Sequence, residues 1–79
     1  MKPDLKQIYG TVREVPAGEN YRVRIVPAGE DLRVRKVIAG ASSPGQWRFV
    51  PAGEEFTVRF VPAGEDFTIR YVVAGEGVA

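Results

Sequence analysis

The sequence predicts an all-β domain of six short antiparallel strands that form a small barrel or two three-stranded sheets. The first observation is a repeat of 11 residues, VPAGE-x-[FY]-x-V-R-x, whose Val-Pro-Ala-Gly-Glu motif begins at Val15, Val26, Val50 and Val61. The second is the alternation of apolar and polar residues in Phe56 to Phe60, which is typical of a strand with one buried face. Proline and glycine in every unit exclude a helical repeat of the same length.

The repeat places one strand between each turn and the next. We expect these strands at about residues 6–15, 19–26, 31–38, 46–50, 55–61 and 66–73. An irregular insert at 41–45 divides a first half, at about 5–38, from a second half, at about 46–73. The chain is too short for two cores, so residues 1–79 are predicted to form a single domain.

The apolar positions of the strands predict the core. They are Ile8 and Val12, then Tyr21, Val23 and Ile25, then Leu32 and Val34, then Trp47 and Phe49, then Phe56, Val58 and Phe60, then Phe67, Ile69 and Tyr71. Two charged residues interrupt the pattern at the end of a strand, Glu14 in the first and Lys36 in the third. We expect both at a sheet edge or a barrel mouth, where a long stem reaches water.

The turns leave the direction of the apolar faces open. Proline at the second position and glycine at the fourth suit a hairpin loop of three residues, which would point successive apolar faces to opposite sides. An even loop, or a bulge beside the turn, instead pairs Phe60 with Phe67 and puts every apolar position on one face. We favour this second register, which makes the chain an antiparallel meander.

An immunoglobulin-like sandwich or a β-roll is the alternative, with consecutive strands in opposite sheets. The segment Val-Pro-Ala-Gly-Glu-Asn-Tyr-Arg-Val at residues 15–23 resembles the corner before a late strand of fibronectin type III and related sandwiches. The resemblance implies a hydrogen bond from the Tyr21 hydroxyl to the backbone just upstream. It covers about ten residues and implies no function.

Composition excludes most catalytic chemistry. The 79 residues include no His and no Cys, and 11 Lys and Arg balance 10 Asp and Glu to a net charge of +1. The chain therefore has no imidazole base, thiolate or Cys/His zinc site, and we expect neither an enzyme nor a cofactor. With no apolar run near the ~20 residues of a membrane helix and no apolar leader, we expect a cytoplasmic protein without a membrane partner.

Arginines occupy the outward positions of the strands, and most acids occupy the turns. The candidate binding residues, expected on three adjacent strands, are Arg13, Arg22, Arg24, Arg33 and Arg35. Guanidinium groups match carboxylates and phosphates, so we expect a homo-oligomer in which this face contacts acidic turns of another subunit, or else an anionic partner. The alternative is a solvated face whose guanidinium groups reach acidic turns of the same chain.

Binding of single-stranded nucleic acid is a further alternative, with Tyr9 and Trp47 as stacking residues. It is disfavoured, because the strand aromatics share the apolar face and the arginines share the other one. Trp47 is otherwise expected to close one end of the core. A purely structural protein of natural or designed origin is the remaining alternative, since four identical turns fit either recent duplication or design.

Overall fold

The computed structural model describes residues 3–79 and is an all-β closed barrel, as the repeat predicts. The strands are β1 Gly10–Glu14, β2 Tyr21–Ile25, β3 Leu32–Lys36, β4 Gln46–Phe49, β5 Phe56–Phe60, β6 Phe67–Tyr71 and a short β7 Gly77–Val78. A 3-10 helix, Leu5–Gln7, replaces the predicted start of the first strand, and Asp4 caps it by accepting a hydrogen bond from the Lys6 N–H. The first two residues of the predicted 1–79 domain lie outside the described residues.

The six barrel strands run parallel, so the prediction of antiparallel strands is wrong. Their order is β4-β1-β5-β2-β6-β3, and a pairing of β3 with β4 closes the barrel. Among the described strands only β7 is antiparallel, and it pairs with the start of β3 through Leu32 and Val78. The chain thus forms neither a meander nor one of the alternatives, a sandwich or a β-roll.

Each Val-Pro-Ala-Gly-Glu segment forms an arch over a strand from the other half of the chain. Glu14 and Tyr21 are both register partners of Val58, so the residues between β1 and β2 cross the outside of β5 at that point. In the same way Phe60 and Phe67 flank Val23, and the arch between β5 and β6 crosses β2. An arch preserves strand direction, whereas a hairpin loop reverses it, and an arch of six residues returns every apolar face inward.

The two halves of the chain are interlaced. Strands β1 to β3 take alternate positions around the barrel, and β4 to β6 fill the gaps between them. Every strand pair therefore joins a first-half strand to a second-half strand. The insert at 41–45 lies where the chain passes from its first half to its second, between the neighbouring strands β3 and β4.

The barrel interior is the predicted core with one exception. The buried residues of the cluster are Ile8, Val12, Val23, Leu32, Val34, Trp47, Phe56, Val58, Phe67 and Ile69, and the remaining predicted aromatics pack partly buried against them. Ile25 is instead 50% exposed, because it ends β2 at the mouth of the barrel. The first valines of two arches, Val15 and Val26, are buried without having been predicted.

The barrel repeats three times about its axis. Adding 11 to both residue numbers of the register pair Val12–Phe49 gives Val23–Phe60, and adding 11 again gives Val34–Tyr71. All three pairs are observed. The molecule measures 29 × 29 × 20 Å, and two equal extents with one shorter are those of a body whose three-fold axis runs along the short dimension.

Candidate interaction surfaces

The five predicted arginines do not lie on adjacent strands, because β5 separates β1 from β2 and β6 separates β2 from β3. For the same reason the first-half arginines do not face one another. In the parallel registers Arg13 faces Thr57 and Arg24 faces Thr68. The pairs of like charge are Arg22 with Arg59 and Arg33 with Arg70.

Acids of the arches reach the outward arginines of the barrel wall. The arch from β1 to β2 crosses β5, and its Glu19 lies 3.1 Å from the guanidinium of Arg59 on that strand. The predicted arginines form the same kind of ion pair: Arg13 with Glu54 at 2.9 Å, Arg22 with Asp66 at 3.3 Å, Arg24 with Glu65 at 3.1 Å, Arg33 with Glu30 at 3.0 Å and Arg35 with Glu76 at 3.0 Å. The wall thus carries a belt of ion pairs within one chain.

These ion pairs keep the arch carboxylates charged well into acid. Hydrogen bonds from Arg70 and Arg33, together with its own backbone N–H, lower the pKa of Glu30 to about 2. Hydrogen bonds from Arg35 and Gln46 lower the pKa of Glu76 to about 2 as well. Arginine hydrogen bonds also lower the pKa of Glu19, Glu54 and Glu65.

A second polar contact joins three of the arches to the strand that each one crosses. The residue after the arch glutamate accepts hydrogen bonds from a threonine: Asn20 Oδ1 accepts from the Thr57 N–H at 2.8 Å and from its hydroxyl at 3.1 Å. Asp31 makes the same pair of bonds with Thr68, and Glu55 with Thr11. The sequence signal is a polar residue after each Glu and a Thr on the partner strand, but their pairing follows only from the interlaced topology.

The binding role of the five arginines stays a prediction. Their side chains are 37–49% exposed, while the carboxylates that hold them are only 6–28% exposed. A partner anion could therefore approach the guanidinium groups from solvent, but it would share them with acids already in place. The structure brings these arginines to acids of their own chain and does not gather them into one patch.

The mouth of the barrel is the second candidate surface. We define the mouth by the last residue of each strand, in order around the barrel: Phe49, Glu14, Phe60, Ile25, Tyr71 and Lys36. These residues follow the inward alternation of the strands, so their side chains surround the barrel axis. The second residue of the segment that follows each of the six strands forms the rim: Pro16, Pro27, Ile38, Pro51, Pro62 and Val73, all exposed.

The mouth is apolar and carries two opposite charges. Lys36 Nζ lies 4.4 Å from the ring centroid of Tyr71 and 5.6 Å from that of Phe49, so the ammonium group rests between aromatic rings of both neighbouring strands. Burial raises the pKa of Tyr71 to about 12, with a further contribution from the Glu14 carboxylate. Neither Glu14 nor Lys36 forms an ion pair with another residue of the described chain.

The sequence indicated part of this surface. Glu14 and Lys36 were expected at an edge or a mouth, and the mouth is where they lie. The exposed apolar residues were missed: Ile25 was placed in the core, and Ile38 and Val73, 93% and 96% exposed, were not singled out. The sequence signal for Ile38 and Val73 is that a branched aliphatic residue replaces the proline of the motif in the two degenerate repeats.

The aromatic residues proposed for base stacking do not form a surface for it. Trp47 is fully buried, its Nε1 donates a hydrogen bond to the Ile8 carbonyl at 3.2 Å, and its ring meets Phe56 edge to face. Tyr9 is half-buried just before β1. Trp47 is therefore a core residue in this fold.

No helix within residues 3–79 is long and apolar enough to cross a membrane, and no group of three metal-ligating side chains occurs there. A family model described as the 7(1) septoil knot domain matches residues 5–77, from the 3-10 helix into β7. A search of curated proteins finds none that matches the sequence.

Proposed function

We propose that this chain, which belongs to the family of 7(1) septoil knot domains, is a non-catalytic structural module that associates with a second copy of itself through the mouth. One observation carries the proposal: three large apolar side chains that are exposed, Ile25, Ile38 and Val73, lie at the mouth or on its rim. Exposed apolar side chains that cluster on one face of a small domain are typical of an interaction site.

The composition of the mouth resembles the centre of a protein interface. Phe49, Phe60 and Tyr71 supply half-buried aromatic surface around the axis, and the rim adds four prolines and two aliphatic residues. Aromatic residues are enriched in interface cores, and charged residues are depleted there. The wall has the opposite character, because ion pairs within the described chain occupy seven of its eight arginines.

The mouth is also large enough for a specific contact. The end of the barrel is the broad face of the molecule, and a disc 29 Å across has an area of roughly 650 Å². Two such faces amount to about 1,300 Å², at the lower end of the ~1,200–2,000 Å² of total surface that stable interfaces bury. Association through the mouth would leave the wall and its ion pairs unchanged.

The arginine wall is the second candidate interface. Its five predicted arginines keep 37–49% of their side-chain surface exposed, which supports contact with acidic turns of another subunit or with an anionic partner. Such contacts between exposed charges weaken as salt shortens the Debye length from about 10 Å at 0.1 M to about 3 Å at 1 M. Association through apolar surface persists at high salt, so salt separates the two candidates.

Sedimentation equilibrium of the full chain, from micromolar to millimolar concentration and at both salt levels, tests the proposal. We expect a dimer that survives high salt in the unaltered protein. The variant Ile25→Ser with Val73→Ser should shift the protein to monomer. Val78→Ser is the matched control, because Val78 is 42% exposed but pairs with Leu32 at the opposite end of β3.

Three results would contradict association through the mouth. A monomer at every concentration would overturn self-association itself. A dimer that dissociates in high salt and is weakened by Arg24→Thr with Arg33→Thr would move the interface to the wall. Equal loss of association in the mouth variant and in Val78→Ser would show that no particular face is used.

A further inference from the structure

We infer that two copies meet mouth to mouth about a two-fold axis that sets Glu14 of one copy against Lys36 of the partner subunit. This inference rests on the proposed self-association and adds its geometry. It starts from the last residue of each strand, because this residue differs in chemical class from one repeat to the next. The three first-half strands end in Glu14, Ile25 and Lys36, whereas the second-half strands end in Phe49, Phe60 and Tyr71.

These residues form two interleaved rings around the three-fold axis. The order Phe49, Glu14, Phe60, Ile25, Tyr71, Lys36 alternates an aromatic residue with one residue of the variable ring. Adjacent positions are about one sixth of a turn apart, so Phe49 lies opposite Ile25 and midway between Glu14 and Lys36. The wall keeps the three-fold repeat, with ion pairs on each third, while the mouth breaks it with one acid, one aliphatic residue and one base.

A two-fold axis that crosses the mouth from Phe49 to Ile25 exchanges the two sides of this ring. It brings Glu14 against the partner subunit's Lys36, and Lys36 against the partner subunit's Glu14. The remaining contacts are apolar: Phe60 meets the partner subunit's Tyr71, while Phe49 and Ile25 each meet their own counterpart. Every position then faces a residue of matching chemistry, as a self-complementary two-fold interface requires.

No other two-fold arrangement of the ring pairs the two charges. The axis through Glu14 and Tyr71 sets the carboxylate against its own copy, and the axis through Phe60 and Lys36 does the same for the ammonium group. Axes that pass between strands set at least one of the two charges against an aromatic ring. Like charges brought together at an interface are strongly unfavourable. The charges therefore select one orientation of a face that is otherwise nearly three-fold.

The absence of an ion pair within the chain supports this reading. Among the described residues, seven of the eight wall arginines are held in ion pairs with arch acids, but Glu14 and Lys36 form none. Both are exposed, so solvent satisfies them in the monomer. A second copy supplies the opposite charge to each at once.

Two single charge reversals and their mixture test the inference. Glu14→Lys gives a mouth with two positive charges and Lys36→Glu gives one with two negative charges, so each variant alone should dimerise at least about tenfold more weakly. Mixed in equal amounts, the two variants are complementary at both contacts and should form a heterodimer about as tight as the original dimer. Sedimentation of each sample, with one variant fluorescently labelled in the mixture, measures all three. Lys6→Glu, in the 3-10 helix before the barrel, is the matched control and should leave the association constant unchanged.

The outcomes separate this inference from the proposed function. If the unaltered protein is monomeric throughout, both fail. If it dimerises and the single reversals dimerise equally well, self-association stands and the two-fold pairing is overturned. Single reversals that weaken association without recovery in the mixture also overturn the pairing, since a mere loss of folding would be visible in the circular dichroism of each variant. Recovery only in the mixture supports the pairing, because a folding defect cannot be repaired by a second defective copy.

Discussion

Arg33 on β3 and Arg70 on β6 are register partners on neighbouring parallel strands, and both guanidinium groups donate to the carboxylate of Glu30. Two like charges directly opposite each other in a sheet are destabilising. Glu30 belongs to the arch that crosses β6, and its side chain is only 6% exposed. The arch therefore supplies the anion that allows two arginines to face each other on the wall.

Neutralising Glu30 should destabilise the fold more than neutralising Glu65, the equivalent residue in the second half. Glu65 holds a single arginine, Arg24, which faces Thr68 and not a like charge. We expect Glu30→Gln to lower the urea midpoint clearly, and Glu65→Gln to lower it less, because only the first change leaves two arginines opposed. Equal midpoints for the two variants would contradict the shared role of Glu30.

Acid should remove the stabilisation that the arch carboxylates supply. The pKa of Glu30 and of Glu76 in the folded chain is about 2, below the ordinary value of 4.5. As the pH falls, the unfolded chain therefore binds more protons at these residues than the folded chain does. Their contribution is complete above about pH 5 and is lost between about pH 4.5 and pH 2. Thermal melts from pH 7 to pH 2 should show a plateau and then a steep decline. In Glu30→Gln the decline should be shallower.

The contact between Thr68 and Asp31 should contribute more to the free energy of unfolding than the equivalent contact between Thr57 and Asn20. Thr68 is 8% exposed, and its hydroxyl donates to Asp31 Oδ2 at 3.2 Å and accepts from the Asp31 N–H at 3.0 Å. Thr68→Val keeps the shape but removes both bonds, and should cost about 1–2 kcal/mol of unfolding free energy. Thr57→Val breaks the equivalent contact with Asn20 at a more exposed site and should cost less. Urea unfolding of both variants measures the difference.

Gly45 should tolerate alanine far less well than Gly53 does. Both have a positive φ, +83° and +75°, so an added Cβ strains the backbone at either position. At Gly45 that Cβ would also meet the carbonyl oxygen of Arg33 and the backbone N of Gly77, whereas at Gly53 it meets nothing. We expect Gly53→Ala to cost about 1 kcal/mol and Gly45→Ala about 1–3 kcal/mol more. Chemical denaturation checks the order, and equal losses would mean that the insert rearranges freely.

Neither half of the chain should fold alone. Every strand pair joins the first half to the second, so a peptide of residues 1–40 or 46–79 contains none of the barrel's strand pairings. We expect each peptide to give the circular dichroism spectrum of an unfolded chain. A strand spectrum from either half would indicate local pairing within it, as a pair of three-stranded sheets would require. The intact chain should fold slowly for the same reason, because its contacts are distant in sequence.

Prediction from sequence succeeded where a residue's role depends on its own unit. The alternation in Phe67 to Tyr71 located a strand and its buried face, and the interruptions at Glu14 and Lys36 indicated an edge or a mouth. It failed where the role depends on which strand lies beside which. Ile25 follows the same alternation as Val23, yet it is exposed because β2 ends there at the mouth.

The candidate surfaces show the same division between features that one repeat determines and features that the arrangement of the strands determines. Sequence alone found the outward arginines and the acidic turns, and it offered contacts within the chain as the alternative to contacts between subunits. Which acid meets which arginine, such as Glu54 with Arg13, depends on the strand that each arch crosses. The mouth could be predicted only with knowledge of the parallel strand direction, because in a meander consecutive strands end at opposite sides of the sheet.

The sequence by itself determined the local structure: strands with one apolar face, arches with a proline and a left-handed glycine, and a polar wall. These follow from side-chain alternation and backbone preference, which act within one repeat. Only the tertiary structure decided that the strands run parallel and that the two halves interlace. The reason is physical, because a six-residue arch and a hairpin demand nearly the same turn residues, and they differ only in whether another strand lies beneath the turn.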